Sequence, residues 1–444
     1  MDREIFEELL TAREFKAVRS ILNVMNAVDI AVLLSELEDK ELVLAFRLIP
    51  KDKAADVFAN MDGELQSKLV EMFTERELKD ILDELFLDDT VDLLEDVPAN
   101  LVTRILENVP PDKRRKINVL LNYPDDSAGS IMTTEYVDLR RHTTVAQAMT
   151  HIKRVGIHKE TIYTCYILEH RRLIGIVTAK DLMTMDDTVT MEEIMETDIK
   201  FVNTHSDQEE VVRLFQKYDL LALPVLDADG LMVGIVTVDD AMDVMEDEAT
   251  EDIAKMAAIS PSEKSYFDTS VFQHARNRIG WLLILMLSST VTGLIITHYE
   301  QAFDAVPLLV SFIPMLMGTG GNCGSQSSTL IIRGIAIDEV HFKDTFKAMF
   351  KEFRIGILVG IALAIANGIR ILIMYNDILL AIIVGCSLMV TIVISKLIGC
   401  CLPLLAKRVG LDPAIMAAPL ITTIVDTCSI LVFFAIATVM LPQL

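Results

Sequence analysis

The sequence is short of basic residues, and this scarcity excludes one broad class of partner. Its 444 residues include 40 Lys and Arg against 65 Asp and Glu, a formal net charge of -25. Proteins that bind nucleic acid concentrate positive charge on the binding face. The composition therefore predicts no nucleic-acid partner and favours a surface that attracts cations.

Cysteines and catalytic motifs are also scarce. The six cysteines show neither a CxxC pair nor the spacing of a disulfide framework, so we expect free thiols. No phosphate-binding Walker loop, catalytic triad or transition-metal motif occurs, and we therefore expect no enzymatic activity. The N-terminus is charged and helical rather than a signal peptide, which predicts that the first part of the chain stays in the cytoplasm.

Apolar residues, in contrast, are abundant and unevenly distributed. They make up 52% of the chain, and the mean hydropathy is +0.40. Beyond Ile279 the acidic and basic residues balance, so the entire net charge belongs to residues 1–278. An acidic soluble part is thus predicted to precede a neutral membrane part.

Residues 1–124 carry a repeat with a period of twelve. Aligned from Ile30, the repeats place an apolar residue at their fourth and eighth positions, as Leu33 and Leu37 do in the first. Pro50 and Pro98 fall just past predicted helices, where a proline cannot continue the helix. Short helices that share one core in this way are typical of an α-helical solenoid.

Residues 125–245 contain a duplicated α/β unit. The motif Gly-Ile-Val-Thr-x-x-Asp occurs from Gly175 to Asp181 and again from Gly234 to Asp240. This duplication resembles a tandem pair of CBS domains. In such pairs the Thr and Asp of the motif contact the ribose of ATP or another adenine nucleotide, which here implies Thr178 and Asp181. The alternative is that Asp181 only caps a helix.

An acidic helix is predicted to begin near Asp239, and residues 246–275 are expected to connect the α/β pair to the membrane part. Asp243, Asp247 and Glu251 recur four residues apart. Like charges at this spacing destabilise a helix. The stack therefore indicates a cation or a basic partner that offsets the repulsion.

Residues 276–444 contain five apolar segments that are long enough to span a membrane. They are residues 279–298, 305–332, 355–375, 378–406 and 414–441. Lys and Arg precede the first and fifth segments and fill the connection between the second and third. By the positive-inside rule, the soluble part is cytoplasmic and the C-terminus is outside. Lys396, within the fourth segment, is expected to extend its ammonium group to the membrane surface.

The fifth segment contains one ionisable residue, Asp426. At about 1.5 Å per helical residue it lies roughly 18 Å beyond Ala414, near the middle of a hydrocarbon core about 30 Å thick. A carboxylate at this depth usually marks an ion pathway; the alternative is a protonated acid bonded to a neighbouring helix. Thr422 lies one turn before it. In the second segment, four glycines accompany Asn322, which predicts a broken or widened helix that lines a wet pathway; the alternative is that the small residues serve helix packing alone.

In this order, the parts resemble the MgtE family of magnesium channels over essentially the whole chain. The resemblance includes Gly-Gly-Asn-Cys-Gly-Ser-Gln326 and Pro-Leu-Ile-Thr-Thr-Ile-Val-Asp426, although many members have a polar residue in place of Val425. It implies a multi-domain α-helical membrane protein, with a helical solenoid as magnesium-sensor domain, an α/β CBS-domain pair, a connecting (plug) helix and a five-helix transmembrane domain. It also implies a homodimer in the cell (inner) membrane that takes up Mg²⁺ through a pore lined by Asn322, Thr422 and Asp426.

The resemblance further implies that cytoplasmic Mg²⁺ binds to acidic residues and closes the pore. Besides Asp426 in the pore and Asp412 at its cytoplasmic mouth, the implied metal ligands are Asp56, Asp88, Asp92, Asp219, Asp240, Asp243, Glu248, Glu251 and Asp252. Bare carboxylates at such distances repel, so Mg²⁺ is expected to favour a compact soluble part.

Two other functions stay open on the sequence alone. A coupled divalent-cation exchanger would use Asp426 to carry a proton or sodium ion and a metal alternately, but five unequal segments show no inverted repeat. A membrane-anchored CBS nucleotide sensor would not need an acid in the middle of a span. The choice among Mg²⁺, Co²⁺, Ni²⁺ and Mn²⁺ also stays open.

Overall fold

The computed structural model describes residues 3–262, 266–267, 269–299 and 307–440. The chain divides into two compact units, Met1–Met245 and Glu246–Leu444. Ala305, where the second predicted segment begins, and Leu441, where the fifth ends, lie outside the described residues. Glu300 and Asp304, between the first two predicted segments, lie outside them as well.

The first unit begins with short helices joined by connections of two to four residues. They are α1 (Arg3–Thr11), α2 (Phe15–Val24), α3 (Ala27–Ser35), α4 (Asp39–Phe46), α5 (Lys51–Ala59), α6 (Gly63–Met72), α7 (Glu75–Glu84), α8 (Leu87–Asp96), α9 (Ala99–Asn108) and α10 (Pro111–Leu120). From α3 to α10, each helix contacts the second helix after it, and their buried side chains form one core.

The twelve-residue repeat agrees with this arrangement. Every residue at the fourth position, from Leu33 to Ile117, is buried within its helix. The eighth position falls at or just beyond the end of the helix, and it is buried in every repeat except the last, where Leu121 is 36% exposed because no further repeat covers it. Pro50 and Pro98 stand directly before α5 and α9, so they end one connection and open the next helix.

The second part of this unit consists of two small sheets with identical topology. Its elements are β1 (Val137–Leu139), α11 (Val145–Val155), β2 (Thr164–Glu169), β3 (Arg172–Thr178), α12 (Ala179–Thr184), α13 (Met191–Ile194), β4 (Val202–Asn203), α14 (Gln208–Tyr218), β5 (Ala222–Leu226), β6 (Met232–Thr237) and the start of α15 (Val238–Met256), which continues into the second unit. In each sheet the first strand pairs with the second in parallel, and the second pairs with the third in antiparallel orientation. The short strands β1 and β4 were not predicted.

The repeated motifs explain how the two sheets join. A Cβ atom on Gly175 would lie 2.5 Å from the sulfur of Met195, and one on Gly234 would lie 2.7 Å from the sulfur of Met132. Each motif glycine thus makes room for a methionine from the other half of the pair. Backbone hydrogen bonds between Thr133 and Ile235 also connect the two halves.

The acidic helix predicted to begin near Asp239 is present. Helix α15 begins at Val238, directly after the last strand, and ends at Met256. The next helix begins only at Val271. Among the residues that the structure describes, the predicted connection over residues 246–275 is helical to Met256 and again from Val271.

The second unit is dominated by long helices. They are α16 (Val271–His298), α17 (Ile313–Ala336), α18 (Thr345–Tyr375), α19 (Ile378–Arg408) and α20 (Ala418–Met440). Among the described residues, four helical segments are long and apolar enough to cross a membrane: Val271–His298, Phe342–Tyr375, Ile378–Arg408 and Pro413–Met440. Helix α17 does not meet this criterion because glycines and polar residues lower its hydropathy.

Small residues let α17 pack closely between α19 and α20. A Cβ atom on Gly399 of α19 would lie 2.2 Å from the carbonyl oxygen of Gly324, and one on Gly321 would lie 2.9 Å from Thr422 of α20. The helix runs without interruption through this stretch. The prediction of a broken helix is therefore wrong, because the glycines serve helix packing while all the backbone remains helical.

Two further predictions for the membrane part are corrected. A 3₁₀ turn at Pro413–Met416 precedes α20, so Asp426 lies eight residues, or about 12 Å, into the helix rather than about 18 Å. Lys396 does not extend to the surface: it is 5% exposed, and its ammonium group lies 3.7 Å from a carboxylate oxygen of Glu352. A carboxylate on the neighbouring helix stabilises the charge inside the protein.

Candidate cation sites and pathway

Acidic side chains from three parts of the first unit lie close enough to repel one another. They are Asp88, Asp89 and Asp92 on α8, Glu160 before β2, and Asp240 at the start of α15, and together we call them the acidic cluster. Asp88 and Asp92 share one face of α8 because they are four residues apart. The hydroxyl of Thr237 donates a hydrogen bond to the carboxylate of Asp240 and orients it.

Burial raises the pKa of several carboxyl groups in the acidic cluster. It raises the pKa of Asp88 to about 7, and repulsion from Asp89 adds to the shift. It raises the pKa of Asp240 to about 7, although the hydrogen bond from Thr237 acts in the opposite direction. Burial and repulsion from Asp88 raise the pKa of Glu160 to about 8. Either protons or a cation must therefore compensate the cluster near neutral pH.

The basic side chain of Lys113 compensates the cluster only in part, because its attraction lowers the pKa of Asp89 less than burial and Asp240 raise it. The ammonium group of Lys113 donates hydrogen bonds to the backbone carbonyls of Leu82 (2.8 Å) and Leu85 (2.5 Å) at the end of α7. Burial lowers the pKa of Lys113, while the surrounding carboxylates, with Glu135 first, act against this. Glu160 also has a buried carboxylate oxygen without a hydrogen-bond partner among the described residues.

On the solvent side of the acidic cluster, its member Asp92 is joined by Asp56. Asp56 is exposed on α5. Burial and repulsion from Asp240 are the main causes that raise the pKa of Asp89, and repulsion from Asp56 adds a smaller contribution. Asp92 is exposed as well, although burial of its surroundings and repulsion from Asp88 raise its pKa. The structure thus brings together four of the predicted sensor acids, Asp56, Asp88, Asp92 and Asp240.

Three predicted sensor acids occupy other positions. Asp219 is exposed at the end of α14, in a left-handed backbone conformation with φ of 51°. On α15, Asp243 is exposed and Glu248 is half-buried. Within the described ranges, no three His, Cys, Asp or Glu side chains are arranged as a group that could hold a metal ion.

A second group of acids surrounds Lys255 in the other unit. Its ammonium group lies 2.6 Å from a carboxylate oxygen of Glu251 and 2.7 Å from one of Asp412, which joins the end of α15 to the turn before α20. Burial and repulsion from Asp412 raise the pKa of Asp252. The predicted ligands Glu251, Asp252 and Asp412 are therefore close together, but a lysine lies between two of them.

Helix α20 carries Asp426 among hydroxyl groups. The hydroxyls of Thr422 and Thr423 both donate hydrogen bonds to the carbonyl of Pro419 (2.9 Å each). Thr427 forms a hydrogen bond of 2.9 Å with Thr292 of α16. Asp426 is half-buried and has no hydrogen bond or ion pair within the described part of the chain. Its carboxylate is available to a cation or to water.

One face of α17 is polar although the helix lies among apolar ones. Gly318, Asn322, Gln326 and Thr329 are exposed and recur every three or four residues, and we call this face the polar stripe. Gly320, by contrast, is buried on the opposite face, where α19 and α20 pack. Lipid does not satisfy exposed amide groups, so the polar stripe must face water or another protein surface.

The CBS-like motif forms a helix cap. The hydroxyl of Thr178 donates to the carboxylate of Asp181, and the backbone N–H of Asp181 donates back to that hydroxyl (3.2 Å). This reciprocal pair is a capping box, and it is the arrangement expected from the helix-cap alternative. Neither residue lines the cavity that lies nearby.

That cavity measures about 330 Å³ and lies between the two sheets. Its lining residues are Thr164, Tyr166, Ile176, Glu196, Asp198, Ile199, Lys200, Tyr218, Leu220, Ala222 and Pro224. Lys200 lies 2.8 Å from Asp198 and 5.3 Å from the ring centre of Tyr218. The hydroxyl of Tyr166 is buried without a hydrogen-bond partner in the described residues. Thr164 pairs with Thr178 across the sheet, which puts the motif beside the cavity.

Sequence reasoning missed several of these residues. Asp89 directly follows the predicted ligand Asp88 in the sequence, and this adjacency could have identified it as a further acid of the site. Glu160 and Lys255 come from segments without a motif, and only the folded chain brings them to the acids they face. Lys200 was missed because it follows the capping motif by some twenty residues.

Comparison with known proteins assigns the family. Residues 25–126 match the model of the MgtE intracellular N domain, residues 128–186 and 191–247 match the CBS domain, and residues 313–436 match the MgtE divalent cation transporter domain. The magnesium transporter MgtE of Thermus thermophilus is 36% identical over 98% of this chain and 97% of its own length. The chain belongs to the MgtE family. Members of this family are transporters, so this protein is a transporter and not an enzyme.

Other relatives agree with this assignment. The magnesium transporter MgtE of Bacillus subtilis is 32% identical over 98% of this chain and 96% of its own length. The crystal structure of the cytosolic domain of the Mg²⁺ channel MgtE in complex with ATP matches with a TM-score of 0.52 and 35% identity, over 55% of this chain and all of that chain. The soluble part of another magnesium transporter matches with the same TM-score at 29% identity.

Proposed function

We propose that the transporter is a Mg²⁺ channel that mediates uptake across the cell membrane. The observation that carries this proposal is the similarity to magnesium transporters over the whole chain. Asp426 supports it, because its carboxylate, which has no partner in the described residues, lies on an apolar helix that packs against α17. Mg²⁺ gives up its hydration water reluctantly, so carboxylate and hydroxyl oxygens are suited to hold it through its waters.

Asp426→Asn tests this assignment. In proteoliposomes made with the full chain, the variant should lose at least about 90% of the Mg²⁺ flux because the pathway loses its charge. Asp377→Asn is the matched control, since Asp377 is exposed and only caps α19, a role that asparagine also fills. Flux through Asp426→Asn at the wild-type rate would contradict the assignment.

We further propose five membrane spans and a homodimer. Helix α17 has 24 residues and is about 36 Å long, which is enough to span the membrane. Unlike the other four spans, it would carry a polar face. A second copy that faces the polar stripe would enclose Asn322, Thr422 and Asp426 of both chains in one water-filled path. The N-terminal units would then lie in the cytoplasm and the C-terminus outside. The contacts of each helix with the second helix after it also support a solenoid for residues 1–124.

Cytoplasmic Mg²⁺ is proposed to regulate this pathway. The acidic cluster and the group of Glu251, Asp252 and Asp412 both hold carboxylates whose mutual repulsion a divalent cation would relieve. Since α15 begins with Asp240 of the acidic cluster and ends beside Asp412, one helix carries residues of both groups. Binding of Mg²⁺ at either group would bias the position of this helix and thereby close the path.

The cavity beside Thr178 is proposed to bind an adenine nucleotide. Its volume suits a small ligand, Lys200 provides a positive charge, and a structure of a related cytosolic domain is described as a complex with ATP. Lys200→Ala should weaken ATP binding to the full transporter by roughly tenfold, measured by calorimetry. Lys153→Ala, an exposed lysine on α11, is the control. Equal affinity in all three proteins would place the nucleotide elsewhere.

A further inference from the structure

The second unit contains a buried charged network that the pathway does not use directly. Three helices contribute to it: α17 with Ser327, α18 with Glu352 and α19 with Lys396. Their exposed fractions are 1%, 8% and 5%. Charged residues in membrane segments are costly and usually have a functional reason.

The hydrogen bonds of this network pass through Ser327. The ammonium group of Lys396 donates to the hydroxyl of Ser327 (3.2 Å), and this hydroxyl donates to a carboxylate oxygen of Glu352 (2.6 Å). The direct distance between Lys396 and Glu352 is longer, at 3.7 Å. Ser327 is thus held between two opposite charges, and charge-assisted hydrogen bonds of this kind are stronger than neutral ones.

Helix α17 needs such an anchor because the middle of its buried face carries only small side chains. Between Leu316 and Ile331 its buried residues are Gly320, Gly321, Cys323, Gly324, Ser327 and Ser328, whereas ridges of larger side chains normally fix the rotation of packed helices. Ser328 provides a second attachment, since its hydroxyl donates to the carbonyl of Met416 just before α20 (2.8 Å). Directional bonds at Ser327 and Ser328 therefore help to fix the rotation of the helix in this stretch, together with the packing of Leu316 before it and Ile331 after it.

The rotation of α17 decides where the polar stripe points. Gln326 is next to Ser327 in the sequence, and Asn322 lies one turn before Gln326 on the same exposed face. The network also lies at a depth comparable to that of Asp426. Lys396 is twelve residues from the end of α19 at Arg408, and Asp426 is eight residues from the start of α20 across the same connection.

We propose that Lys396 and Glu352 are positioning residues for cation transport, which act through Ser327 to orient the polar stripe of α17 towards the pathway. This inference rests on the proposed pathway along Asn322 and Asp426. Neither charged residue touches the cation; their buried pairing keeps α17 from turning about its axis or sliding along α19.

Ser327→Ala is the informative variant because it keeps both charges and removes only the link to α17. Mg²⁺ flux into proteoliposomes made with the full chain should show a half-saturating Mg²⁺ concentration raised by roughly tenfold in a variant that still folds. Ser325→Ala is its matched control, since Ser325 has a buried hydroxyl that makes no hydrogen bond in the described residues. A wild-type half-saturating concentration in Ser327→Ala would overturn the proposal.

The charged residues are tested as a pair. Lys396→Met alone leaves an uncompensated buried carboxylate and is expected to fold poorly, whereas the double variant Lys396→Met/Glu352→Gln removes both charges and should assemble. A positioning role predicts that the double variant assembles and still needs roughly tenfold more Mg²⁺ for half-maximal flux. Normal flux in this variant would mean that the pair serves folding alone and would refute the proposal.

Two controls separate this inference from the proposed pathway. Lys407→Met makes the same substitution at an exposed position of α19 and should transport normally. Asp426→Asn belongs in the same assay. If Asp426→Asn transports at the wild-type rate, the pathway is wrong; if it is inactive while Ser327→Ala is normal, the pathway stands and the positioning role is wrong.

Discussion

Lys255 shows how one residue changes the interpretation of a predicted metal site. Glu251, Asp252 and Asp412 were expected to hold Mg²⁺, but the ammonium group of Lys255 lies within hydrogen-bond distance of two of them. Its side chain is 24% exposed, so it can leave this position at moderate cost. A lysine attached to the chain therefore competes with Mg²⁺ for the same carboxylates.

Lys255→Met should make inhibition by internal Mg²⁺ more sensitive. Partly exposed ion pairs contribute about 0.2–1 kcal/mol each, so the loss of two of them should lower the half-inhibitory Mg²⁺ concentration by about fivefold. The measurement is Mg²⁺ flux as a function of Mg²⁺ on the cytoplasmic side. Lys255→Arg keeps the charge and should behave like the wild type, and an unchanged or higher half-inhibitory concentration in Lys255→Met would show that the lysine does not compete.

At the scale of elements, the contact between α17 and α19 depends on two glycines. Gly399 brings the two backbones together because a Cβ atom there would lie 2.2 Å from the carbonyl oxygen of Gly324. A carbonyl oxygen of the backbone cannot move aside as the end of a side chain can. The helices would have to separate, and the buried hydrogen bond from Lys396 to Ser327 would stretch with them.

Gly399→Ala should therefore lower both stability and transport. Forced overpacking costs about 1–3 kcal/mol, which exceeds the gain of about 1 kcal/mol that alanine brings to a helix. Thermal unfolding in detergent and Mg²⁺ flux measure the two effects. Gly368→Ala is the matched control, because no atom lies within 4 Å of the added methyl group and the substitution should be neutral or stabilising. A stable and active Gly399→Ala would mean that the two helices separate easily.

At the scale of the whole molecule, the uneven charge of the chain connects pH, Mg²⁺ and stability. The pKa of Asp88 and Asp240 is about 7 in the folded protein and that of Glu160 about 8, all above the ordinary values of about 4 for unfolded carboxyl groups. Between about pH 4 and pH 8 the folded state therefore binds more protons than the unfolded state. Its free energy of unfolding falls as the pH rises through this window.

Without divalent cations, the melting temperature of the transporter should be several degrees lower at pH 8 than at pH 5.5. Millimolar Mg²⁺ should remove most of this difference, since the cation replaces the protons as compensation for the acidic cluster. Thermal melts over a pH series with and without Mg²⁺ measure both effects. In the double variant Asp240→Asn/Glu160→Gln the decrease should be smaller, and a melting temperature that rises with pH would contradict the assignment.

The sequence by itself determined what depends on local pattern. The twelve-residue period follows from one apolar face per short helix, and it predicted the buried residues up to Val109. The duplicated Gly-Ile-Val-Thr motif predicted the paired sheets and their main helices, and long apolar segments predicted most of the membrane helices. The order of these parts led to the MgtE family, which the comparisons confirm.

Only the tertiary structure decided the relations between distant segments. Nothing in the spacing indicates that Lys255 faces Asp412, that Glu160 joins Asp88 and Asp240, or that Lys396 is buried against Glu352. A glycine-rich segment is compatible with a broken helix or with close packing, and the presence of Gly399 opposite Gly324 decides for packing. Burial and charge compensation depend on which residues are neighbours in space, and the order of residues along the chain does not specify these neighbours.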